Sequence, residues 1–170
     1  MWVFDATPLI YLGKTDSLDL LRNLDEPCVI PERVYAEVVE AGVEQGHPDA
    51  RRVERAVSDG VFRVVAVEES GMLTRLRENP NLSEADAAVL ACADARDGTA
   101  VMDEAYGRDV AGVENITTRG TAYLLLLLVS RDRITVETAR TVVDAMVEAG
   151  WYCAPDVYAK ILRKLESFEE

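Results

Sequence analysis

The chain has 170 residues, of which 49% are hydrophobic, and this composition is sufficient for one globular domain with a buried core. Its longest apolar run, residues 122–129, is too short to cross a bilayer, and Asp5 interrupts any apolar leader, so we expect no membrane span and no signal peptide. The net charge is −13. The three cysteines form no CxxC pair, and this argues against a disulfide framework or a zinc site and favours a reducing cytoplasm.

Short apolar runs alternate with helical patterns along the chain, which is typical of a parallel α/β sheet. The runs predict strands over residues 2–5, 28–30, 61–67, 100–103 and 115–118. Helices are predicted over residues 8–13, 16–24, 31–41, 49–58, 71–78, 83–96, 104–110, 119–130, 136–149 and 155–166. No long linker interrupts these elements, so residues 1–170 are expected to form a single domain with the C-terminal helices (about 135–167) packed on its core.

Several residues mark the starts of helices. Thr7 followed by Pro8 predicts an N-cap and a first helical residue, and Pro31 predicts the start of another helix. Ser83 with Asp86 three positions later resembles a capping box, with Asp in place of the usual Glu or Gln.

Two carboxylates follow apolar runs that we interpret as buried strands. Asp5 ends the run WVFD, and Asp103 ends the run AVMD. In open parallel sheets, ligands bind outside the carboxyl ends of the strands. The alternative is that each Asp caps the helix that follows it. For Asp5 a cap is already predicted at Thr7, whereas for Asp103 the capping role stays open.

Two further acids lie on apolar helix faces. Glu37 falls inside the apolar stripe of the helix predicted at 31–41, and Asp86 shares the apolar face of the helix predicted at 83–96. The alternative for Glu37 is a position at the rim of the stripe, and the alternative for Asp86 is a role at the N-terminus of its own helix. A shared polyvalent cation would explain these two acids together with Asp5 and Asp103.

The residue types restrict the chemistry of such a site. Carboxylates are hard oxygen ligands, which select Mg²⁺ or Mn²⁺ rather than zinc. His47 is the only histidine and stands in a polar stretch, so we interpret it as a solvated loop residue and disfavour mechanisms that need a catalytic histidine. No GxGxxG motif follows the first strand. Thr7 occupies the place where a phosphoaspartyl phosphatase would carry its second Asp.

The segment FDATPLIYL resembles the opening of a PIN domain, in which an Asp ends the first strand and Ser, Thr or Asn follows two residues later. The resemblance continues through VYAEVVEAG, LSEADAAVLACA and VMDEAYGRDVA, each with an acid at a family position, and then through GVENITTRGTAYLLLLLV and GWYCAPDVYAKILRKL. It covers nearly the whole chain, and the order of the segments is its specific feature. The chain is similar to PIN-like proteins that are related to the ribonuclease toxins of toxin–antitoxin pairs.

The resemblance implies a three-layer α/β/α fold with a five-stranded parallel sheet in the order 3-2-1-4-5, which places strands one and four side by side. It implies one acidic cluster that binds the metal and carries out catalysis, formed by Asp5, Glu37, Asp86 and Asp103. It implies supporting roles for Thr7 (holding a carboxylate or a metal-bound water), Glu104 (a second, less constant acid) and Thr118 (a hydroxyl, with helix capping as its alternative). Tyr123 departs from the pattern, because the family often has a glycine there, and this would alter the floor of the site.

The function that the resemblance implies is a divalent-metal-dependent endoribonuclease using Mg²⁺ or Mn²⁺, with an antitoxin protein as a partner, a homodimeric state and no membrane association. The alternative is a non-catalytic module that binds nucleic acid or protein. The surplus of acids opposes RNA binding, since affinity for phosphates comes from basic groups. A bound metal and a local basic rim would offset it. The candidates for this rim are Arg75, Arg77, Arg108 and Arg119. For each of them the alternative is an ordinary surface charge.

The surplus of acids also has a consequence for the environment of the protein. An acidic surface that is poor in lysine is expected in molar salt, where self-repulsion is tolerated because the screening length falls to about 3 Å at 1 M. A halophilic protein is therefore one interpretation, and an ordinary acidic protein is the other.

Overall fold

The computed structural model describes residues 1–170 and contains one parallel sheet. Its strands are β1 (Trp2–Phe4), β2 (Cys28–Pro31), β3 (Arg63–Val65), β4 (Thr99–Val101) and β5 (Thr118–Arg119). The five strands lie in the order β3-β2-β1-β4-β5, and every neighbouring pair is parallel. The predicted α/β class and strand order are confirmed.

The central strand β1 is buried along its whole length. Successive side chains of a strand point to opposite faces, so burial of all three residues means that helices cover both faces of the sheet. The register pairs Phe4 with Val101, so β1 and β4 end side by side at the same edge. Phe4 also packs against Phe62, with ring centroids 5.2 Å apart in an edge-to-face arrangement.

The helices account for most of the remaining chain. They are α1 (Ala6–Lys14), α2 (Glu32–Tyr35), α3 (Ala41–Glu44), α4 (Pro48–Ser58), α5 (Gly71–Arg77), α6 (Glu84–Ala95), α7 (Ala105–Val113), α8 (Thr121–Ser130), α9 (Val136–Glu148) and α10 (Pro155–Ser167). A 3₁₀ helix (Leu18–Asn23) precedes β2, and a π-helical turn (Ala36–Glu40) joins α2 to α3. No helix combines the length and the apolar character that a membrane span requires.

Two predicted helices differ from the structure for identifiable reasons. Residues 16–24 were expected to be α-helical, but Asp16 has φ of 53°, a left-handed conformation that cannot continue a right-handed helix, and a 3₁₀ helix begins only at Leu18. The helix predicted at 31–41 begins at Glu32 because Pro31 is the last residue of β2, and its π turn was not expected.

The helix caps were predicted with mixed success. Asp5 has an extended backbone and is the N-cap residue of α1, so Thr7 lies inside the first turn and its assignment as the N-cap is wrong. Ser83 is confirmed as the N-cap of α6, because its Oγ accepts a hydrogen bond of 3.0 Å from the backbone N–H of Asp86. Strands β1 and β4 end earlier than predicted, so both Asp5 and Asp103 lie just beyond their ends.

The last two helices lie against earlier parts of the chain. Helix α9 contacts α1, α8 and α10, and α10 also contacts α8. Their apolar stripes are buried at Val143 and Met146 of α9 and at Ile161 and Leu165 of α10. The short segment that joins them carries Trp151, whose indole reaches the carboxyl edge of the sheet.

Candidate functional site

Asp5 lies at the carboxyl edge of the sheet, directly after β1. Its backbone N–H donates to the carbonyl of Val101 on β4 at 3.1 Å, which holds the residue against the neighbouring strand. Only 5% of its surface is exposed. A carboxyl group that is buried to this degree requires a partner, a cation or a proton.

The partner of Asp5 is a second acid, Asp86, in the first turn of α6. The Asp86 side chain is close enough to Asp5 to raise its pKa. Burial and the charge of Asp86, with a smaller contribution from Glu104, raise the pKa of Asp5 from 3.8 to about 7, although the N–H of Ala6 opposes the shift. None of the groups that cause this shift is basic. Negative charge is therefore concentrated here without a cationic side chain to balance it.

Asp103 lies beyond the end of β4, at the same edge of the sheet, but its partners are different. Its Oδ1 accepts from the Thr121 N–H at 2.8 Å, and its Oδ2 accepts from the Thr121 hydroxyl at 2.8 Å and from the Trp151 Nε1–H at 3.2 Å. Gly120 makes room for this arrangement, since a Cβ at that position would lie 3.0 Å from Oδ1. Asp103 is thus fixed in orientation at the N-terminus of α8.

The side chain of Asp103 accepts hydrogen bonds at the N-terminus of α8 and not at that of α7, the helix that directly follows it. The alternative role for Asp103 was to cap the helix directly after it, but Glu104 is the N-cap of α7, so that alternative is wrong. Glu104 itself is exposed and makes no side-chain capping bond. It is nevertheless close enough to Asp5 to raise the pKa of that carboxyl group.

Glu37 lies in the π-helical turn and is exposed. The prediction of an inward-facing Glu37 is therefore wrong, and its alternative position at the rim of the apolar stripe is correct. Its side chain makes no hydrogen bond or ion pair within the protein. The structure thus brings together Asp5, Asp86 and Glu104 but leaves Glu37 free in solvent.

The two predicted threonines are half-buried at the same edge. Thr7 lies in the first turn of α1, and Thr118 is the first residue of β5. Gly120 is the N-cap of α8, so the capping alternative for Thr118 is wrong. The hydroxyl that contacts a predicted carboxylate belongs instead to Thr121.

Thr121 and Trp151 are the residues of this edge that sequence reasoning missed. The Gly-Thr pair after the fifth strand was a visible signal for Thr121, because it places a donor at the N-terminus of a helix beside a strand end. Trp151 had no comparable signal, since its hydrogen bond to Asp103 joins residues 48 positions apart.

The donor groups at this edge of the sheet determine which cation fits it. No group of three or more His, Cys, Asp or Glu side chains is arranged to hold a metal ion. The contacting carboxyl groups of Asp5 and Asp86 are nevertheless oxygen ligands of the kind that Mg²⁺ and Mn²⁺ prefer, and a cation would allow both to ionise. In donor type and in charge, this pair fits a hard divalent cation.

The predicted basic rim separates into two pairs. Arg75 contacts Glu114 at 2.9 Å, and Arg77 contacts Glu69 at 2.9 Å, so both are ordinary ion-paired surface charges. Arg108 and Arg119 form no salt bridge with any carboxylate and lie beside Asp103. Only the second pair lies near the site without a carboxylate partner, and Arg119 donates one hydrogen bond of 2.9 Å to the carbonyl of Thr118.

Comparisons with known proteins agree with the fold. A family model described as "PIN domain" matches residues 1–167. A toxin–antitoxin complex from Klebsiella pneumoniae contains a chain that is 20% identical, with a TM-score of 0.50, over 64% of this chain and 90% of that one. VapBC2 from Rickettsia felis, bound to a DNA fragment from its promoter, contains a chain that is 15% identical, with a TM-score of 0.53, over 70% of this chain and 97% of that one. No curated protein matches the sequence significantly.

Proposed function

Because the chain belongs to the PIN domain family, we propose that it is a divalent-metal-dependent endoribonuclease. The observation that carries the proposal is the buried contact between Asp5 and Asp86, which raises the pKa of Asp5 to about 7 at the carboxyl edge of a parallel sheet. Ligands bind at this edge in open α/β folds. Two carboxyl groups held together without a basic neighbour cannot both ionise cheaply, so the pair is suited to a cation.

Asp5 and Asp86 would hold the ion, and Asp103 and the exposed Glu37 are the further acids that we assign to the catalytic cluster. Glu104, which is close enough to Asp5 to raise its pKa, is assigned a supporting role. Bound Mg²⁺ or Mn²⁺ would supply Lewis-acid stabilisation of the phosphate charge and activation of water. Without the ion, burial and the charge of Asp86 raise the pKa of the Asp5 carboxyl group to about 7. Thr7 and Thr118 are assigned supporting roles at the same edge.

Asp103 contributes through its fixed orientation. Three hydrogen bonds from Thr121 and Trp151 hold both of its oxygens, so its charge is presented in one direction. A catalytic group held in this way loses little freedom when substrate binds. The C-terminal segment that carries Trp151 thereby becomes part of the site, and we propose that residues 1–170 act as a single domain.

The nuclease is tested by cleavage of an RNA pool in Mn²⁺, with EDTA as the metal-free reference. Asp5→Asn and Asp86→Asn each remove a proposed ligand and its charge, and we expect both to lower the rate by at least about 100-fold. Asp94→Asn is the matched control, because Asp94 is an exposed acid on the same helix α6 and should leave the rate unchanged. Equal activity in the wild type and in Asp5→Asn would mean a contaminating nuclease and would contradict the proposal.

A non-catalytic binding module is the second candidate function. It is favoured by the exposure of Glu37 and by the three hydrogen bonds that already occupy Asp103, since these leave fewer acids free for catalysis. A chain that binds Mn²⁺ in a titration, with Asp5→Asn abolishing the signal, but never cleaves RNA would establish the module.

We also propose that the chain works as the toxin of a toxin–antitoxin pair, as a homodimer in the cytoplasm. The support is the similarity of its fold to chains from two toxin–antitoxin assemblies. Expression of the wild type should arrest growth, and Asp5→Asn should not. Growth arrest by the wild type and by Asp5→Asn alike would contradict toxicity that depends on nuclease activity.

A further inference from the structure

A cavity of about 320 Å³ opens beside Asp103, between the start of α8 and the segment that leads into α10. Asp103 forms part of its wall, so the cavity adjoins the candidate active site. A cavity of this size lies within the range of pockets that hold small-molecule groups.

Two arginines give this cavity a positive wall. Arg108 and Arg119 both line it, and neither forms a salt bridge, although the chain carries a net charge of −13. The one acid in the wall, Asp103, has both oxygens occupied by Thr121 and Trp151. The Nη1 of Arg119 donates to the carbonyl of Thr118 at 2.9 Å, but neither guanidinium group has a carboxylate partner. Their remaining N–H groups are therefore available to an anion from outside.

The wall of the cavity also carries exposed aromatic side chains. Tyr152 is 86% exposed and Tyr123 is 39% exposed. The Arg119 guanidinium lies over the Tyr123 ring, 5.0 Å from its centroid, which fixes a planar cation beside an aromatic face. Arginine planes and tyrosine rings are the surfaces on which unpaired bases stack.

We propose that this cavity, which we call the Arg108–Tyr152 subsite, binds one nucleotide of single-stranded RNA next to the bond that is cleaved. Arg108 and Arg119 contact its phosphate, and Tyr152 stacks on its base. The inference rests on the proposed nuclease function and adds to it the side chains that receive one nucleotide beside Asp103. The combination of free cationic and aromatic side chains favours this occupant over a second copy of a chain that is itself strongly acidic.

The test is the binding of a fluorescent single-stranded RNA of about ten nucleotides, followed by anisotropy in EDTA so that no cleavage occurs. Arg108→Ala and Arg119→Ala should each weaken binding and lower the slope of log affinity against log salt by about 0.7, the value for one phosphate contact on a single strand. Arg55→Ala is the matched control, because Arg55 is exposed, forms no salt bridge and lies on α4 away from the cavity. It should leave binding unchanged.

The base contact is tested separately. Tyr152→Ala should weaken binding of the RNA about tenfold, and Tyr152→Phe, which keeps the ring, should restore it to within about twofold. With an abasic oligonucleotide of the same length, Tyr152→Ala should have no effect. An effect of Tyr152→Ala that is present with the RNA that carries bases and absent with the abasic oligonucleotide supports stacking.

The subsite proposal is overturned if the three alanine variants bind RNA as Arg55→Ala does. It is equally overturned if they change only the oligomeric state or the capture of an antitoxin protein. The two proposals fail separately. A wild type that shows the expected binding pattern but cleaves nothing in Mn²⁺ removes the nuclease and keeps the subsite, whereas cleavage that depends on Asp5 but not on Arg108, Arg119 or Tyr152 does the reverse.

Discussion

The carboxyl group of Asp86 lies beside that of Asp5, although one follows the first strand and the other lies in α6. Burial, and then the charge of Asp86, raise the pKa of Asp5, because ionisation would leave a poorly hydrated charge next to a second acid. A protein gains no stability from such a pair at neutral pH. An arrangement that costs stability at a ligand-binding edge of the fold is typical of a functional site.

The first prediction concerns the stability of the metal-free protein. The pKa of Asp5 is raised in the folded state, so its contribution to stability is fully present below the unfolded value of 3.8 and is lost as pH rises through about 7. Asp5→Asn removes the charge, and we expect it to raise the free energy of unfolding by roughly 1–4 kcal/mol at about pH 8. Near pH 4 the gain should be small. Urea denaturation in EDTA at the two pH values measures both quantities.

The control for this prediction is Asp94→Asn on the exposed face of α6, which should change the free energy of unfolding by less than about 0.5 kcal/mol. If Asp5→Asn is less stable than the wild type at both pH values, Asp5 is not a strained carboxylate, and its role is structural.

The second prediction concerns metal binding. A divalent cation that binds only the folded state stabilises it by about 2.7 kcal/mol when its concentration is 100 times the dissociation constant. For a chain of this length, saturating Mn²⁺ should raise the melting temperature of the wild type by roughly 5–10 °C. Asp5→Asn should lose most of the shift, and KCl of equal ionic strength should not reproduce it. Equal shifts in both proteins would place the ion elsewhere.

The third prediction concerns the hydrogen bonds that hold the Asp103 carboxylate beside Gly120. Gly120→Ala places a Cβ 3.0 Å from Asp103 Oδ1, so the carboxylate must move and weaken its bonds to Thr121. We expect a loss of about 1–3 kcal/mol in stability and a fall in RNA cleavage. Gly112→Ala on α7 is the matched control, because nothing lies within 4 Å of its added methyl group, and it should stabilise the protein by about 0.5–1 kcal/mol. Unchanged cleavage in Gly120→Ala would show that the position of Asp103 is unimportant.

The sequence predicted the strands and the acids at their ends because both depend on local pattern. Apolar runs of three or four residues marked β1 and β4, and Asp5 and Asp103 followed them directly. The orientation of the acids depended on tertiary contacts instead. Nothing near Asp103 in the sequence indicates that its oxygens are held by Thr121 and Trp151.

Glu37 illustrates a different limit of sequence reasoning. Its inward direction was inferred from a repeat of 3.6 residues, but the chain forms a π turn over Ala36–Glu40, in which the hydrogen bonds span one residue more than in an α-helix. The local rotation differs from the one that was assumed, and the side chain is exposed. Periodicity cannot reveal a single irregular turn, because the flanking Val34 and Val38 remain buried as predicted.

The fourth prediction concerns the ion pair between Glu26 and Arg131, whose contribution to stability depends on pH. Glu26 accepts hydrogen bonds from both Arg131 nitrogens, at 2.9 and 3.1 Å, and from the Trp2 indole, and these donors lower the pKa of Glu26 to about 2. A lowered pKa means stability that is present above the unfolded value of 4.5 and is lost as pH falls towards 2. The side chains are 35% and 29% exposed, so we discount for screening and expect Glu26→Gln to cost about 1 kcal/mol at neutral pH.

Denaturation of Glu26→Gln and the wild type between about pH 7 and pH 3 tests this, and the difference should shrink as the pH falls. The control is Glu54→Gln, whose partner Arg51 lies one turn away on an exposed helix face and should contribute less than about 0.5 kcal/mol. A cost for Glu26→Gln that is independent of pH would point to lost packing instead of lost charge.

The fifth prediction concerns the net charge of −13, which repels itself across the surface. Raising KCl from about 0.1 M to about 1 M shortens the screening length from about 10 Å to about 3 Å and should remove most of this repulsion. We expect the melting temperature to rise by several degrees if the protein is adapted to molar salt. The measurement is best made on Asp5→Asn in EDTA, so that ion binding at the acidic pair does not contribute. A melting temperature that changes little over this range would contradict halophilic adaptation and leave an ordinary acidic protein.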